Sequence, residues 1–170
     1  MTNLTSPAAD AALGLSQTNT MADVIDSLKR LERVGSENSK TTQKLIDAAT
    51  ELSSVIAQQF ALSPDEELPI QKWEEQKHAA ELDEFLSHAT VKFNYVIRRQ
   101  GDSNPALYLH KGPITDVFVG RNRDAALEFS KDVADGLLEY ILGVLEERRA
   151  ESAKALSIIE GATTKLRNPS

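Results

Sequence analysis

The chain has 170 residues, 41% of them hydrophobic and 26% charged, which fits one folded domain with short extensions. Its net charge of -7 disfavours nucleic acid and anionic surfaces unless the bases cluster locally. The absence of cysteine excludes disulfides, thiolate metal sites and cysteine nucleophiles.

Residues Met1 to Thr20 are rich in Thr, Ser, Asn and Ala and read as a flexible arm. They lack a basic start followed by an apolar core, so no signal peptide is expected. No stretch approaches the ~20 apolar residues of a membrane helix. These features lead to the expectation of a cytoplasmic protein that does not enter membranes.

From Met21 the spacing changes. Apolar or small residues fall at Met21, Val24, Leu28, Leu31 and Gly35, then at Leu45, Ala49, Leu52 and Ile56. Steps alternating between three and four keep one seam of a helix facing a partner. The run Gly35-Ser36-Glu37-Asn38-Ser39 is a local breaker, and Asn38 or Ser39 would serve as a new cap. The heptad phase nevertheless survives across it, which favours one helix from about Met21 to Phe60 with a polar layer in its seam.

Ser63-Pro64-Asp65-Glu66-Glu67 has the form of a helix start, with a cap, a proline and then acids. A helix over Ile70 to Ala89 is expected to follow, burying Trp73, Leu82, Phe85, Leu86 and Ala89. Val91, Phe93, Tyr95 and Ile97 then alternate with polar residues at the period of a half-buried strand. Turn residues at 101–105 separate them from Leu107 and Leu109. A hairpin results, extended by a third strand if Ile114 to Val119 pairs.

The last element opens at Arg121-Asn122-Arg123-Asp124 and should run to about Leu166. Its seam is Leu127, Ala134, Leu138, Ile141 and Leu145, then Arg148 and Ser152, then Ala155, Ile159, Ala162 and Leu166. Gly136, Gly143 and Gly161 fall inside it, each costing about 1 kcal/mol relative to alanine. Both long segments would be about 60 Å long if helical, and both are polar in mid-seam. An antiparallel pair follows, with Leu52 near Ala134, Leu45 near Ile141, and Arg148 beside Asn38 or Glu37.

The expected fold is therefore mainly α: two long antiparallel heptad-patterned helices, a central helix and a small β-hairpin. Residues 1–20 form the arm. Residues 21–166 form one helical domain with the helix and hairpin inserted at about 63–120, and residues 167–170 form a frayed tail.

Two helices leave apolar seam uncovered. The leading functional expectation is thus a non-enzymatic coiled-coil-like protein that assembles with itself or with a helical partner. Leu28, Leu31, Leu45, Leu52, Ile56, Leu138, Ile141, Leu145 and Ile159 would carry association or core packing. A competing arrangement buries every seam inside one monomeric bundle.

The alternative function is anion, nucleotide or single-stranded nucleic-acid binding through Arg98, Arg99, Lys111, Arg121 and Arg123, with Tyr95 and Tyr108 as stacking surfaces. Against it, the acids from Asp65 to Glu84 offer internal partners of similar number. Glu74 and His78, and likewise Glu84 and His88, are spaced as metal ligands on one helix face, but no second helix offers a matching set. No phosphate loop, nucleophile elbow or dinucleotide fingerprint occurs, so neither a cofactor nor catalysis is expected.

Overall fold

The computed structural model describes residues 20–75 and 89–169. Residues Leu82, Phe85, Leu86, His78 and His88, together with the arm before Thr20, lie outside them. The chain divides into two units between Gln43 and Lys44.

The first helix, α1, spans Met21–Gln58 without interruption. A reciprocal cap starts it. The Asp23 N–H donates to Thr20 Oγ1 at 3.3 Å, and the Thr20 N–H donates to Asp23 Oδ2 at 3.0 Å. Backbone hydrogen bonding at Thr20, then its hydroxyl, holds the Asp23 carboxyl below its usual range. Gly35 and Asn38 sit within the exposed helix, and the Thr41 hydroxyl donates to the Glu37 carbonyl at 2.9 Å. The continuous reading of this segment is the one observed. The described part of the first unit, to Gln43, contains no buried residue.

In the second unit α1 buries Ala49, Ser53, Ile56 and Ala57, a narrow stripe of mostly small side chains. The Ser53 hydroxyl is fully buried and accepts the Leu107 N–H at 3.2 Å, joining the helix to the sheet. After the helix ends at Gln58, Phe60 and Leu62 turn inward on either side of Ala61, whose backbone is left-handed at φ 49°.

The described ends of the helix expected over Ile70 to Ala89, residues 70–75 and 89, are strand instead. Ser63 to Glu66 makes a turn, and the Ser63 N–H donates to Glu66 Oε2 at 2.8 Å. Asp65 adopts φ 61° and accepts the Gly101 N–H at 2.9 Å. The chain then enters strand β1, Glu67–Glu75. Ala89, expected to be buried, lies exposed at the start of β2, and Trp73 is 60% exposed.

The small hairpin is replaced by a four-stranded antiparallel sheet in the order β1-β2-β3-β4. Here β2 is Ala89–Arg98, β3 is Ala106–Gly112 and β4 is Thr115–Phe118. Register pairs Ile70 with Tyr95, Ile97 with Leu107, Tyr95 with Leu109, and Leu109 with Val117. These residues line the inner face.

The long C-terminal segment is two helices, α2 (Arg123–Ala134) and α3 (Leu137–Arg167). Gly136, at φ 100°, separates them in a conformation that a side chain disfavours. Asn122 caps α2 by accepting the Ala125 N–H at 2.9 Å. Ala125, Ala126 and Phe129 of α2 join Leu137 and Ile141 of α3 in one core with the inner sheet face and α1. Tyr140 locks α3 onto the sheet: its hydroxyl donates to the Gln71 carbonyl, and its ring lies 5.9 Å from that of Phe93.

These contacts overturn the antiparallel helix pair. Leu45 and Leu52 flank a cleft shared with Phe129 and Val133, while Phe60 lies with Leu145 and Arg148. Residue numbers therefore rise together on the two sides. Arg148 Nη2 donates to Glu66 Oε1 at 2.6 Å, so its partner is the turn after α1 and not Asn38 or Glu37. The helices cover one face of a sheet because the sheet's inner alternation supplies the larger apolar surface. The long seams are buried only where they cross it. Among the described residues, no helix is long and apolar enough to cross a membrane.

Candidate functional site

Strand alternation turns a second set of side chains to the face opposite the helices. Cross-strand pairing sets Glu67 against Arg98, Gln71 against Asn94, Tyr108 against Phe118, and His110 against Asp116. Of these, Glu67, Gln71, Arg98, His110 and Asp116 line a concavity of about 370 Å³, with buried Val96 among its other lining residues.

The charges on this face form a chain. Arg98 Nε donates to Glu67 Oε1 at 2.5 Å, and Arg98 Nη2 donates to Asp116 Oδ2. His110 Nδ1–H donates to Asp116 Oδ1 at 2.7 Å. The Arg98 guanidinium also lies 5.4 Å from the Tyr108 ring centre. Gln71 donates to Asn94, which donates to the His110 carbonyl, at 2.9 and 3.0 Å. All four strands are thereby tied together by side chains. Partial burial raises the proton affinity of Asp116, but hydrogen bonds from His110 and Arg98 outweigh it and hold the carboxyl below its usual range. Among the described residues, no three His, Asp or Glu side chains are grouped to hold a metal ion.

A second titratable pair lies on the helical side. The buried Tyr95 hydroxyl donates to Asp132 Oδ2 at 2.5 Å. Burial, then the Asp132 carboxylate, push the phenol well above its ordinary range. Burial also raises the Asp132 carboxyl. The Tyr95 hydrogen bond lowers it in part, whereas Glu128 and Asp135 add to the rise.

The two aspartates should affect stability with opposite signs. Asp116 has a lowered folded pKa, so its contribution is complete above the unfolded value near 4 and disappears as pH falls below it. Asp132 has a raised folded pKa, so the fold favours its protonated form, and that contribution is lost as pH rises above about 4. In melting curves from pH 3 to 7, Asp116→Asn should destabilise the protein at pH 7 and much less at pH 3. Asp132→Asn should stabilise it at pH 7 and leave pH 3 nearly unchanged. Parallel shifts for both variants would contradict the assignment.

The five bases of the expected anion site have different partners. Arg98 is held by two carboxylates, and Lys111 pairs with Glu128. Arg99 donates to the carbonyls of Leu62 and Ser103 at 2.8 and 3.2 Å. Arg123 lies 3.6 Å from Asp124, and the exposed Arg121 makes no ion pair among the described residues. Tyr95, expected as a stacking surface, is buried, whereas Tyr108 stays half-buried against Phe118.

The nine seam residues separate into three groups. Ile56 and Ile141 are core, and Leu45, Leu52 and Leu145 pack against it. Leu28, Leu31, Leu138 and Ile159 are exposed, at 53%, 67%, 38% and 64%. Sequence reasoning missed the pairing of His110 with Asp116. The two residues flank the Lys111-Gly112-Pro113 turn, but only the register across that turn brings them together.

The second unit is thus an α+β domain, with helices on one face of an antiparallel meander and a charged network on the other. No family model, curated protein or solved structure matches it.

Proposed function

We propose that the protein is a non-enzymatic subunit that works by associating with other copies of itself through an apolar stripe on α1. The observation that carries this reading is the exposure of Met21, Val24, Leu28 and Leu31 at heptad spacing on a firmly capped helix. Burying each leucine side chain fully contributes roughly 1.5–3 kcal/mol, so a few such residues suffice for measurable association. Large apolar stripes on a soluble surface mark interaction sites more often than accidents. Anion or nucleic-acid binding is the weaker reading, because Arg98, Lys111 and Arg123 already have carboxylate partners.

The test is mass in solution by light scattering and sedimentation across a wide concentration range. The wild type should exceed monomer mass, and Leu28→Glu with Leu31→Glu should return it to monomer with an unchanged helical spectrum. A wild type that stays monomeric at high concentration ends the reading.

A further inference from the structure

We propose that the concavity on the outer face of the sheet binds a small neutral ligand rich in hydroxyl groups, of the class of a saccharide ring. The concavity belongs to the second unit, and its use requires no association through the exposed stripe of α1.

The directions of the hydrogen bonds follow from the groups at the ends of the network. The Asp116 carboxylate and the His110 carbonyl can only accept. The His110 ring therefore carries its proton on Nδ1, which leaves Nε2 an acceptor in the neutral ring. Asn94 gives its N–H to the carbonyl, so its oxygen takes the Gln71 N–H, and Gln71 Oε1 is left over. Glu67 meets Arg98 through Oε1, leaving Oε2, and Arg98 uses Nε and Nη2, leaving Nη1. None of these leftover atoms has a hydrogen bond among the described residues, and tying the strands together requires none of them. Their parent residues Glu67, Gln71, Arg98 and His110 all line the concavity of about 370 Å³, near the small end of ligand pockets.

This mixture of acceptors and a charged donor selects the ligand. An anion can only accept, and the guanidinium it would seek is already held by Glu67 and Asp116. An ammonium ion can only donate, and it would lie against Arg98. A hydroxyl group both donates and accepts. Neighbouring hydroxyls on one ring can donate to Gln71, Glu67 and His110 and accept from Arg98 without bringing any charge. The bonds within the network hold these side chains in place beforehand, which lowers the entropy lost on binding. Trp73 follows Gln71 on the outward side of β1, about 7 Å along the strand. It is 60% exposed, and its indole offers the C–H side of such a ring an apolar surface.

Trp73 is the single tryptophan, so its emission reports on this face alone. The full-length protein is titrated with short neutral oligosaccharides of glucose, mannose and N-acetylglucosamine, and separately with inorganic phosphate and propylamine. Amide and side-chain NMR shifts are followed in the same samples. At least one saccharide should change the Trp73 emission saturably and shift Gln71, Arg98 and His110, while phosphate and propylamine do neither. Gln71→Ala should weaken that binding about three- to tenfold, the size of one lost hydrogen bond. Silence from every saccharide, or shifts confined to another surface, would overturn the proposal. Phosphate or propylamine binding at these residues would assign the concavity to an ion and overturn it too, as would unchanged saccharide affinity in a folded Gln71→Ala. The shift map uses the wild type alone, so it decides the outcome even if the variant unfolds.

Discussion

Replacing Gly120 with alanine should destabilise the protein by about 3 kcal/mol, near the upper end of what overpacking costs. A Cβ at this position would lie 2.0 Å from Thr50 Oγ1 and 2.9 Å from the Phe118 ring. Thr50 cannot readily turn away, because its hydroxyl donates to the Ile46 carbonyl at 2.8 Å. Gly120 thus allows the connection from β4 to α2 to pass directly against α1. For a chain of this size the loss corresponds to roughly 6–12 °C in melting temperature. Adding Thr50→Ala should restore part of the loss and not all, since the Thr50 Cβ itself would sit 3.1 Å from the new methyl. A loss below about 1 kcal/mol would mean that the backbone moves freely here.

Phe129→Ala should cost about 3–5 kcal/mol, the usual range for an aromatic removed from a core. The ring is 2% exposed and meets Tyr95 edge to face at 6.2 Å, joining α2 to the centre of the sheet. It also lines the cleft of about 200 Å³ that Leu45, Leu52 and Val133 border. Truncation would remove the packing surface of Tyr95 next to its bond with Asp132. Urea unfolding followed by circular dichroism is the suitable measurement. Fluorescence of the single tryptophan, Trp73, would report an exposed strand position in place of the core. A change under 1 kcal/mol would show that α2 is not held by this ring.

The sequence is legible where one local rule acts alone. Continuous heptad phase from Met21 to Ile56 identifies α1, and alternation from Val91 to Ile97 identifies β2. The same reasoning fails in the C-terminal segment. Phase also runs from Leu127 through Ala134 to Leu138, yet Gly136 breaks the helix between them. The Asp135-Gly136 junction is too short to shift the phase, so phase cannot reveal it.

Strand β1 is hidden for a different reason. Leu68, Ile70 and Lys72 alternate inward, but only Ile70 is fully buried. The large Trp73 falls on the outward side of the strand with Gln71, and the register shifts between Lys72 and Trp73. Pro69 and the surrounding acids complete the resemblance to a helix start. The charged network is illegible because Glu67, Arg98 and the His110–Asp116 pair lie far apart in sequence and meet only through register. Equal lengths of the two long helical segments suggested an antiparallel pair, whereas the buried stripe of α1 runs only from Ala49 to Ala57.

The boundaries of the sheet bear on its resistance to aggregation. An open strand edge invites another chain to add itself by backbone hydrogen bonding. Here β1 forms one edge, and it carries Pro69, which lacks an N–H, and the irregularity at Lys72 and Trp73. The opposite edge, β4, is four residues long. Neither offers a long, regular ladder for a fifth strand. Growth by strand addition, the route toward fibrils, is therefore impeded at both edges of the sheet.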